Sequence, residues 1–437
     1  MEMEGISEKT KWREYKYHAI FIVSFLSVMM VTLSGSLLDN QPTASKNIYN
    51  PRRNYLDSKS WNTNMSNVKH TLLFTKFFGK DWPLQMGSAT FEECPVSNCV
   101  ITKDRQYLSS ISEFDAILFH YKDIDMLKTS QLPNQNHRRS NQRYVMYFSE
   151  SPLNYDYEYD RFSNFFNWTM TYRLDSDIPN PYGRIVQRQR QKMYVPNLLE
   201  LGQWGHTYDP KEFTISLESK GSGKFRALAH RPRAVAWIVS HCGTGSDRER
   251  YVNELRRHIQ VDIYGLCGNG RCESCPANNF QNPLCCADNI ERDYMFYLAF
   301  ENSLCDQYVT EKLWSWLKKD IVPVVLGQAN YTAITPPHSV INAMNYPNPK
   351  DLAAHLLKLM SNETEYLSYF WWKEFYEVNQ NRKIAFCKLC QMLNDAEQVP
   401  KVRDNLDEWW STGAQCKPKG SHPWSRYRPV VEGRWRR

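Results

Sequence analysis

The chain is poor in the residues that keep a polypeptide unfolded. Only 18 glycines and 22 prolines occur in 437 residues while 14% of the positions are aromatic, which excludes a largely disordered or low-complexity protein. An excess of one charge is also lacking. The balance is 54 basic against 47 acidic residues, a net charge of +7. Much of that surplus sits at the two ends, in Lys9, Lys11, Arg13 and Lys16 and again in Arg426, Arg428, Arg434, Arg436 and Arg437. Neither cluster accompanies a nucleic-acid reading module, so nucleic acid is not an expected partner. Internal repeats are absent. Long hydrophobic runs are absent too, except for Ala19 to Leu38.

That one run carries no charge between Lys16 and Asp39. At about 1.5 Å per residue it spans roughly 30 Å, enough to cross a bilayer. A cleaved signal peptide is the rival reading, but no small-x-small cleavage site precedes the polar segment, which favours a retained anchor. Basic residues on its N-terminal side place residues 1–18 in the cytosol and everything after Leu38 in the lumen. Four N-x-[ST] triplets, at Asn64, Asn167, Asn330 and Asn362, agree with lumenal exposure. So do twelve cysteines, an even count. Cys272/Cys275 and Cys387/Cys390 have zinc-ligand spacing but lack histidine partners at the right intervals. Disulfides are therefore expected, with their pairing left open.

Residues 39–69, rich in Asn, Ser and Thr, read as a stem. Short apolar runs follow at Thr71–Thr75, Ala116–His120 and Tyr144–Phe148, and a second set at Val235–Ser240, Val261–Gly265, Phe296–Phe300 and Val322–Leu326. They predict buried strands of parallel sheets. Helical patterns at Asp247–Ile259, Thr310–Lys318 and Asp351–Leu359 alternate with the second set, as βα units require. The expected fold is α/β. Two Rossmann-like domains, 70–205 and 233–375, are joined by a linker at 206–232, with a cleft between them and a Cys-containing extension at 376–437. The aromatic stretch Glu363–Lys373 reads as a helix, either closing across both domains or lying in the core of the second. No chemistry attaches to the segment beyond Asn394.

Chemistry concentrates in Glu301-Asn302-Ser303 and Tyr308-Val-Thr310-Glu311-Lys312, where an apolar strand runs through a loop into a helix that Thr310 caps. Free N–H groups at such a junction attract phosphate, and Lys312 adds a full charge. Spacing alone supports a capping box equally well. The run Phe296-Tyr-Leu-Ala-Phe-Glu-Asn-Ser, then Tyr308-Val-Thr-Glu-Lys-Leu-Trp314 and Val322-Pro-Val-Val-Leu-Gly327, resembles the donor motif of the α1,3-fucosyltransferase family, glycosyltransferase family 10. Gln142-Arg-Tyr through Glu150-Ser-Pro152 resembles its acceptor-side motif. Phe166-Asn-Trp-Thr-Met-Thr-Tyr-Arg through Asp175-Ser-Asp177 and Pro181-Tyr-Gly183 resembles its middle motif. Ala236-Trp-Ile-Val-Ser240, Arg248-x-Arg-Tyr251 and Asp262-Ile-Tyr-Gly265 resemble the opening of its donor domain.

The resemblance implies a GT-B fold, GDP-β-L-fucose as donor, inversion at the anomeric carbon, no essential metal or cofactor, and a Golgi membrane location. By resemblance Glu150 is the base. Arg248, Glu301, Asn302, Tyr308, Glu311 and Lys312 form the donor site. A nucleoside diphosphate leaves as a stable anion, so one base and some cations suffice, unlike the carboxylate pair of a glycosidase. Asp175-Ser-Asp177 looks like a metal-diphosphate triplet but reads here as a structural loop, and His120 reads as a core or surface histidine. Gln307, where the family usually carries Asp, and His241, where Asn is common, depart from the pattern. The extra cysteines at 267–286, Phe386-Cys-Lys-Leu-Cys390 and the long tail resemble the branch that modifies the innermost GlcNAc of N-glycans. An outer-arm, Lewis-type enzyme and a silent lumenal binding partner are the alternatives.

Overall fold

The computed structural model describes residues 67–154, 159–188, 202–211, 213, 227–268, 287–398 and 401–427. The cytosolic tail and anchor expected at 1–38, nearly all of the stem, Asn64 and Cys272, Cys275, Cys285 and Cys286 lie outside them. Among the described residues no helix is long and apolar enough to cross a membrane.

Buried apolar strands build two parallel sheets. The first holds β1 (Lys69–Leu73), β2 (Cys99–Thr102), β3 (Ala116–His120), β4 (Arg143–Phe148), β5 (Trp168–Thr171) and β6 (Ile178–Pro179), in the order β2-β1-β3-β4-β5-β6. After the antiparallel partner strand β7 (Arg184–Gln187), the second holds β8 (Arg233–Ile238), β9 (Val261–Tyr264), β10 (Tyr294–Phe300), β11 (Val322–Leu326) and β12 (Ile341–Asn342), ordered β12-β11-β10-β8-β9. Every pairing within either sheet is parallel. The strands β3, β4, β10 and β11 are buried along their whole length, which is why their sequences are near-continuous apolar runs.

The described helices are α1 (Tyr121–Asp125), α2 (Arg248–Leu255), α3 (Ala287–Asp293), α4 (Glu311–Leu317), α5 (Tyr331–Ile334), α6 (Pro349–Met360), α7 (Glu363–Leu367) and α8 (Lys383–Leu393). In α6, Asn348 caps the Asp351 N–H, Pro349 takes the first turn, and Leu352, Ala353, Leu356 and Leu359 face the second sheet's core. The aromatic stretch splits into α7 and a 3₁₀ segment, Ser368–Glu374. Its Tyr366, Leu367, Tyr369 and Phe370 join that same core, and Tyr366 Oη donates to Met295 O at 2.8 Å.

The chain then leaves the second sheet. Strand β13 (Tyr376–Asn379) pairs antiparallel with β7, and α8 returns to the first sheet, where Cys387 bonds Cys94 and Cys390 bonds Cys99. The zinc-like C-x-x-C spacing thus places two thiols on one helix face, each reaching a different cysteine. The first of these bridges closes 293 residues of sequence. In the chain-entropy account that is worth about 5–6 kcal/mol, and the second, closing only a short ring once the first exists, adds much less.

Candidate active site

The C-terminal ends of β4 and β10 bring the two sheets' loops together. Glu150 lies two residues past β4, ahead of the 3₁₀ turn Pro152–Asn154. Asn154 Nδ2 donates to Glu150 Oε2 at 2.6 Å, and Tyr308 Oη donates to the same oxygen at 3.3 Å. Ser303 Oγ completes the link by donating to Asn154 Oδ1 at 2.8 Å. A carboxylate from the first sheet is therefore oriented by Tyr308, from the loop that leaves the second, and by Asn154, which Ser303 of that loop holds.

Glu301, one residue past β10, is 1% exposed and accepts from Thr310 N at 2.8 Å and Thr310 Oγ1 at 2.9 Å. Lys312 Nζ stands 3.3 Å from Glu301 Oε2, 3.3 Å from Glu311 Oε1 and 2.8 Å from Thr310 Oγ1. Burial drives the Glu301 carboxyl upward, with Lys312 opposing it. Burial alone would lower the Lys312 pKa, but Glu301 and Glu311 outweigh it and hold the ammonium above its usual range. The two directions pull against each other. The donor set around Glu301, a backbone N–H, a hydroxyl and an ammonium, fits an ionised carboxylate, and we take the pair as charged. The Glu311 side chain is 54% exposed, and its carboxyl, pushed upward by the packed surroundings of its base, is brought below its ordinary range by Lys312.

Arg248 opens α2 and is 2% exposed. It donates through Nη1 to Phe300 O at 2.7 Å and through Nη2 to His241 O at 2.8 Å, so it fastens the ends of β10 and the loop after β8. Its Nε has no hydrogen-bond partner among the described residues, and neither does Oδ1 of buried Asn302. The nearest charge to that Nε is Glu249 Oε1, an ion pair at 3.6 Å. Of the residues expected from sequence, Glu301 and Glu311 stand against Lys312, and the charges of Arg248 and Glu150 also act on it.

Two glycines permit this approach. A Cβ on Gly183 would lie 2.5 Å from Trp314 Cγ, so the Pro181-Tyr-Gly183 turn can lie against α4 only without a side chain. A Cβ on Gly327 would meet Tyr331 Oη at 2.2 Å, beside Glu301.

Other residues singled out from sequence fall elsewhere. The Gln307 amide accepts from Leu174 N at 2.8 Å and donates to Asp306 Oδ2 at 3.1 Å, tying its loop to the first sheet instead of entering the Lys312 cluster. His241 serves Arg248 through its backbone carbonyl, and its side chain is exposed. His120 is fully buried, bonded to Asp123 and ringed by Phe77, Phe78, Trp82, Tyr147 and Phe148; burial lowers its pKa against the pull of Asp123. Asp175 pairs with Arg173 at 2.6 Å and accepts from Trp409 Nε1 at 3.0 Å. Asp177 accepts from Thr169 N at 2.8 Å and pairs with Lys401 and Arg403. Both carboxylates are held by the protein's own cations. No group of His, Cys, Asp and Glu suited to a metal occurs among the described residues.

Asn167 corrects an expectation. It is 4% exposed, its carbonyl accepts from Tyr144 N at 2.7 Å, and its amide nitrogen donates to Lys401 O at 2.7 Å, so the nitrogen a glycan would need is already buried in the fold. Asn330 and Asn362 are exposed.

Sequence reading placed Ser303 in the donor motif without a role and missed Asn154, although Asn154 stands four residues after Glu150 across a proline turn, a spacing that folds back on itself. It also missed Arg382, whose Nη2 donates to Ser149 Oγ at 2.6 Å beside the candidate base. Arg382 shares a cavity of about 510 Å³ with Trp82, Pro83, Leu84, Gln85, Gln380, Asn381 and Lys383. Nothing local marked these residues, because the cavity forms only when β13 and α8 return to the first sheet.

Residues 66–183 match the family model described as fucosyltransferase, N-terminal, and residues 228–409 match glycosyltransferase family 10 (fucosyltransferase) C-term. The chain is 32% identical to the alpha-(1,3)-fucosyltransferase C of Drosophila melanogaster, over 92% of this chain and 89% of that one. It is 31% identical to the same organism's glycoprotein 3-alpha-L-fucosyltransferase A, over 90% of this chain and 71% of that protein. Among solved structures, an alpha1,3-fucosyltransferase with GDP-fucose aligns over 80% of this chain and 96% of its own at 14% identity and a TM-score of 0.44.

Proposed function

The chain belongs to glycosyltransferase family 10, the fucosyltransferases, and we propose that it transfers L-fucose from GDP-β-L-fucose to O3 of an N-acetylglucosamine, inverting the anomeric centre with Glu150 as base. The observation that carries this reading is the hydrogen bond from Tyr308, in the donor motif, to Glu150, in the acceptor-side motif. A base joined to the donor motif in this way would bring the acceptor hydroxyl within reach of the anomeric carbon. Glu150 would take the hydroxyl proton as the oxygen attacks. The bond to the diphosphate breaks, and Lys312, with the buried charge of Arg248 behind it, offsets the negative charge that leaves with GDP.

The acceptor proposed is the innermost Asn-linked N-acetylglucosamine. The cavity from which Arg382 reaches Ser149 supports an acceptor larger than one sugar, since it combines the apolar wall of Trp82, Pro83 and Leu84 with amides and cations from Gln85, Gln380, Asn381 and Lys383. A Golgi membrane and a lumenal active site, with one helix at 19–38 as anchor, complete the proposal. The test is to incubate the purified chain with GDP-fucose and a defined N-glycopeptide and to map new fucose by mass spectrometry. Fucose on the core residue supports the reading. Fucose only on outer arms transfers the assignment to a Lewis-type acceptor, and neither turnover nor GDP binding makes the chain a silent relative.

A further inference from the structure

The family-model match stops at residue 409, yet the chain beyond it runs directly along the donor pocket. Trp410 is fully buried and packs against Phe148 and Tyr172, with ring centroids 5.8 and 5.4 Å away. Tyr172 in turn stands 5.1 Å from the ring of Tyr308, so the segment fills the space beneath the tyrosine that orients Glu150. The chain next brackets the donor loop. Asp306 N donates to Ala414 O at 2.8 Å, Lys417 N donates to Leu304 O at 2.8 Å, and a disulfide between them joins Cys305 to Cys416.

The segment then fastens the loop ahead of Arg248. Lys419 Nζ donates to Gly243 O at 2.9 Å and Trp424 Nε1 to Ser246 O at 3.0 Å. Asp247, 5% exposed and in the left-handed region at φ 50°, accepts through Oδ2 from Gly420 N at 2.9 Å and Ser425 Oγ at 2.7 Å. A non-glycine residue holds that backbone conformation only when its surroundings fix it, and here the later chain does so. Ser246 passes the constraint on, because its N–H donates to Asn302 O at 3.0 Å and its hydroxyl to Glu301 O at 2.7 Å.

We propose that Trp410–Tyr427 is a strap that positions the donor pocket: it sets the Leu304–Tyr308 loop through Trp410 and Cys416, and the Gly243–Arg248 loop through Trp424 and the contacts of Gly420 and Ser425 with Asp247. These are positioning residues, acting through Tyr308, Asn302 and Arg248. The inference rests on reading those three with Lys312 as the donor site. Because its Lys419–Ser425 part fastens the loop ahead of Arg248, losing those contacts changes donor affinity while leaving the acceptor's own contacts in place.

Kinetics on the full-length chain with Asp247→Ala and with Trp424→Phe should show KM for GDP-fucose raised about tenfold, as expected for losing one or two hydrogen bonds, at unchanged acceptor KM. A donor KM within twofold of wild type in both variants overturns the proposal. Should the variants not fold, amide hydrogen exchange on the wild-type chain with and without GDP decides. GDP is expected to slow exchange at Leu304–Tyr308 and Lys417–Tyr427 together with Thr310–Lys312. Protection at Thr310–Lys312 without the strap overturns the strap alone. Protection at neither overturns the donor-site reading beneath it.

Discussion

Lys312→Ala separates the structural from the catalytic use of the donor cluster. The substitution leaves the Glu301 carboxylate, 1% exposed, with only Thr310 as donor. Removing one partner of a buried pair costs about 3–5 kcal/mol, and since the Lys312 side chain keeps 23% exposure the low end applies, about 3 kcal/mol. The pH dependence follows from the direction of the Glu301 shift. Burial already raises this carboxyl above its ordinary value of 4.5, and the variant loses the opposing charge, so the folded state binds its proton more tightly than the unfolded chain. Stability contributed in that way is present below the unfolded pKa and is lost as pH rises through the folded one. The variant's deficit should therefore be small near pH 4.5 and complete at neutral pH. Adding Glu301→Gln removes the buried charge, and should recover most of the stability and flatten the profile without restoring donor binding. Urea midpoints across this pH range, with calorimetric titration of GDP, read both quantities. A deficit that is equal at acid and neutral pH, with no rescue by Glu301→Gln, would refute the buried-pair argument.

Gly183→Ala should destabilise the chain by about 1–3 kcal/mol through overlap with Trp314, seen as a lower urea midpoint, whereas an unchanged midpoint would show that the Tyr182 turn can move aside. Gln307→Asp should give no large gain in rate, because the Gln307 side chain bonds Leu174 and Asp306 and not the Lys312 cluster. A tenfold gain in initial rate would contradict that placement. Activity should survive EDTA, since Asp175 and Asp177 are engaged by Arg173, Trp409, Thr169, Lys401 and Arg403. Loss on chelation that manganese restores would show otherwise.

Strands buried on both faces were legible because burial forces an apolar run: Ala116–His120 and Val322–Leu326 appear at the bounds their sequences imply. Strand β5 was not, since Thr169 and Thr171 are buried polar residues satisfied by Asp177 and Ser176, partners that no periodicity announces. The clustering of Glu301, Lys312 and Arg248 followed from motifs lying at the ends of successive parallel strands. What stayed hidden depends on distant returns of the chain. Arg382 reaches Ser149 across 233 residues, and Cys416 reaches Cys305 across 111. The tail beyond Asn394, polar and without period, carried no sign that Trp410 and Trp424 would be buried. Asn167 misled for the same reason, because its triplet marks a glycan acceptor only when its amide is free.

Glu150→Gln tests the central claim most directly, since the amide keeps the shape and the Tyr308 and Asn154 neighbours while losing the basic carboxylate. Single-turnover fucosyl transfer should fall by roughly 10²–10⁴ while GDP affinity, set at Lys312 and its surroundings, remains within about twofold of wild type. Transfer at the wild-type rate would remove Glu150 from the chemistry, and a parallel loss of GDP binding would place it in the donor pocket instead.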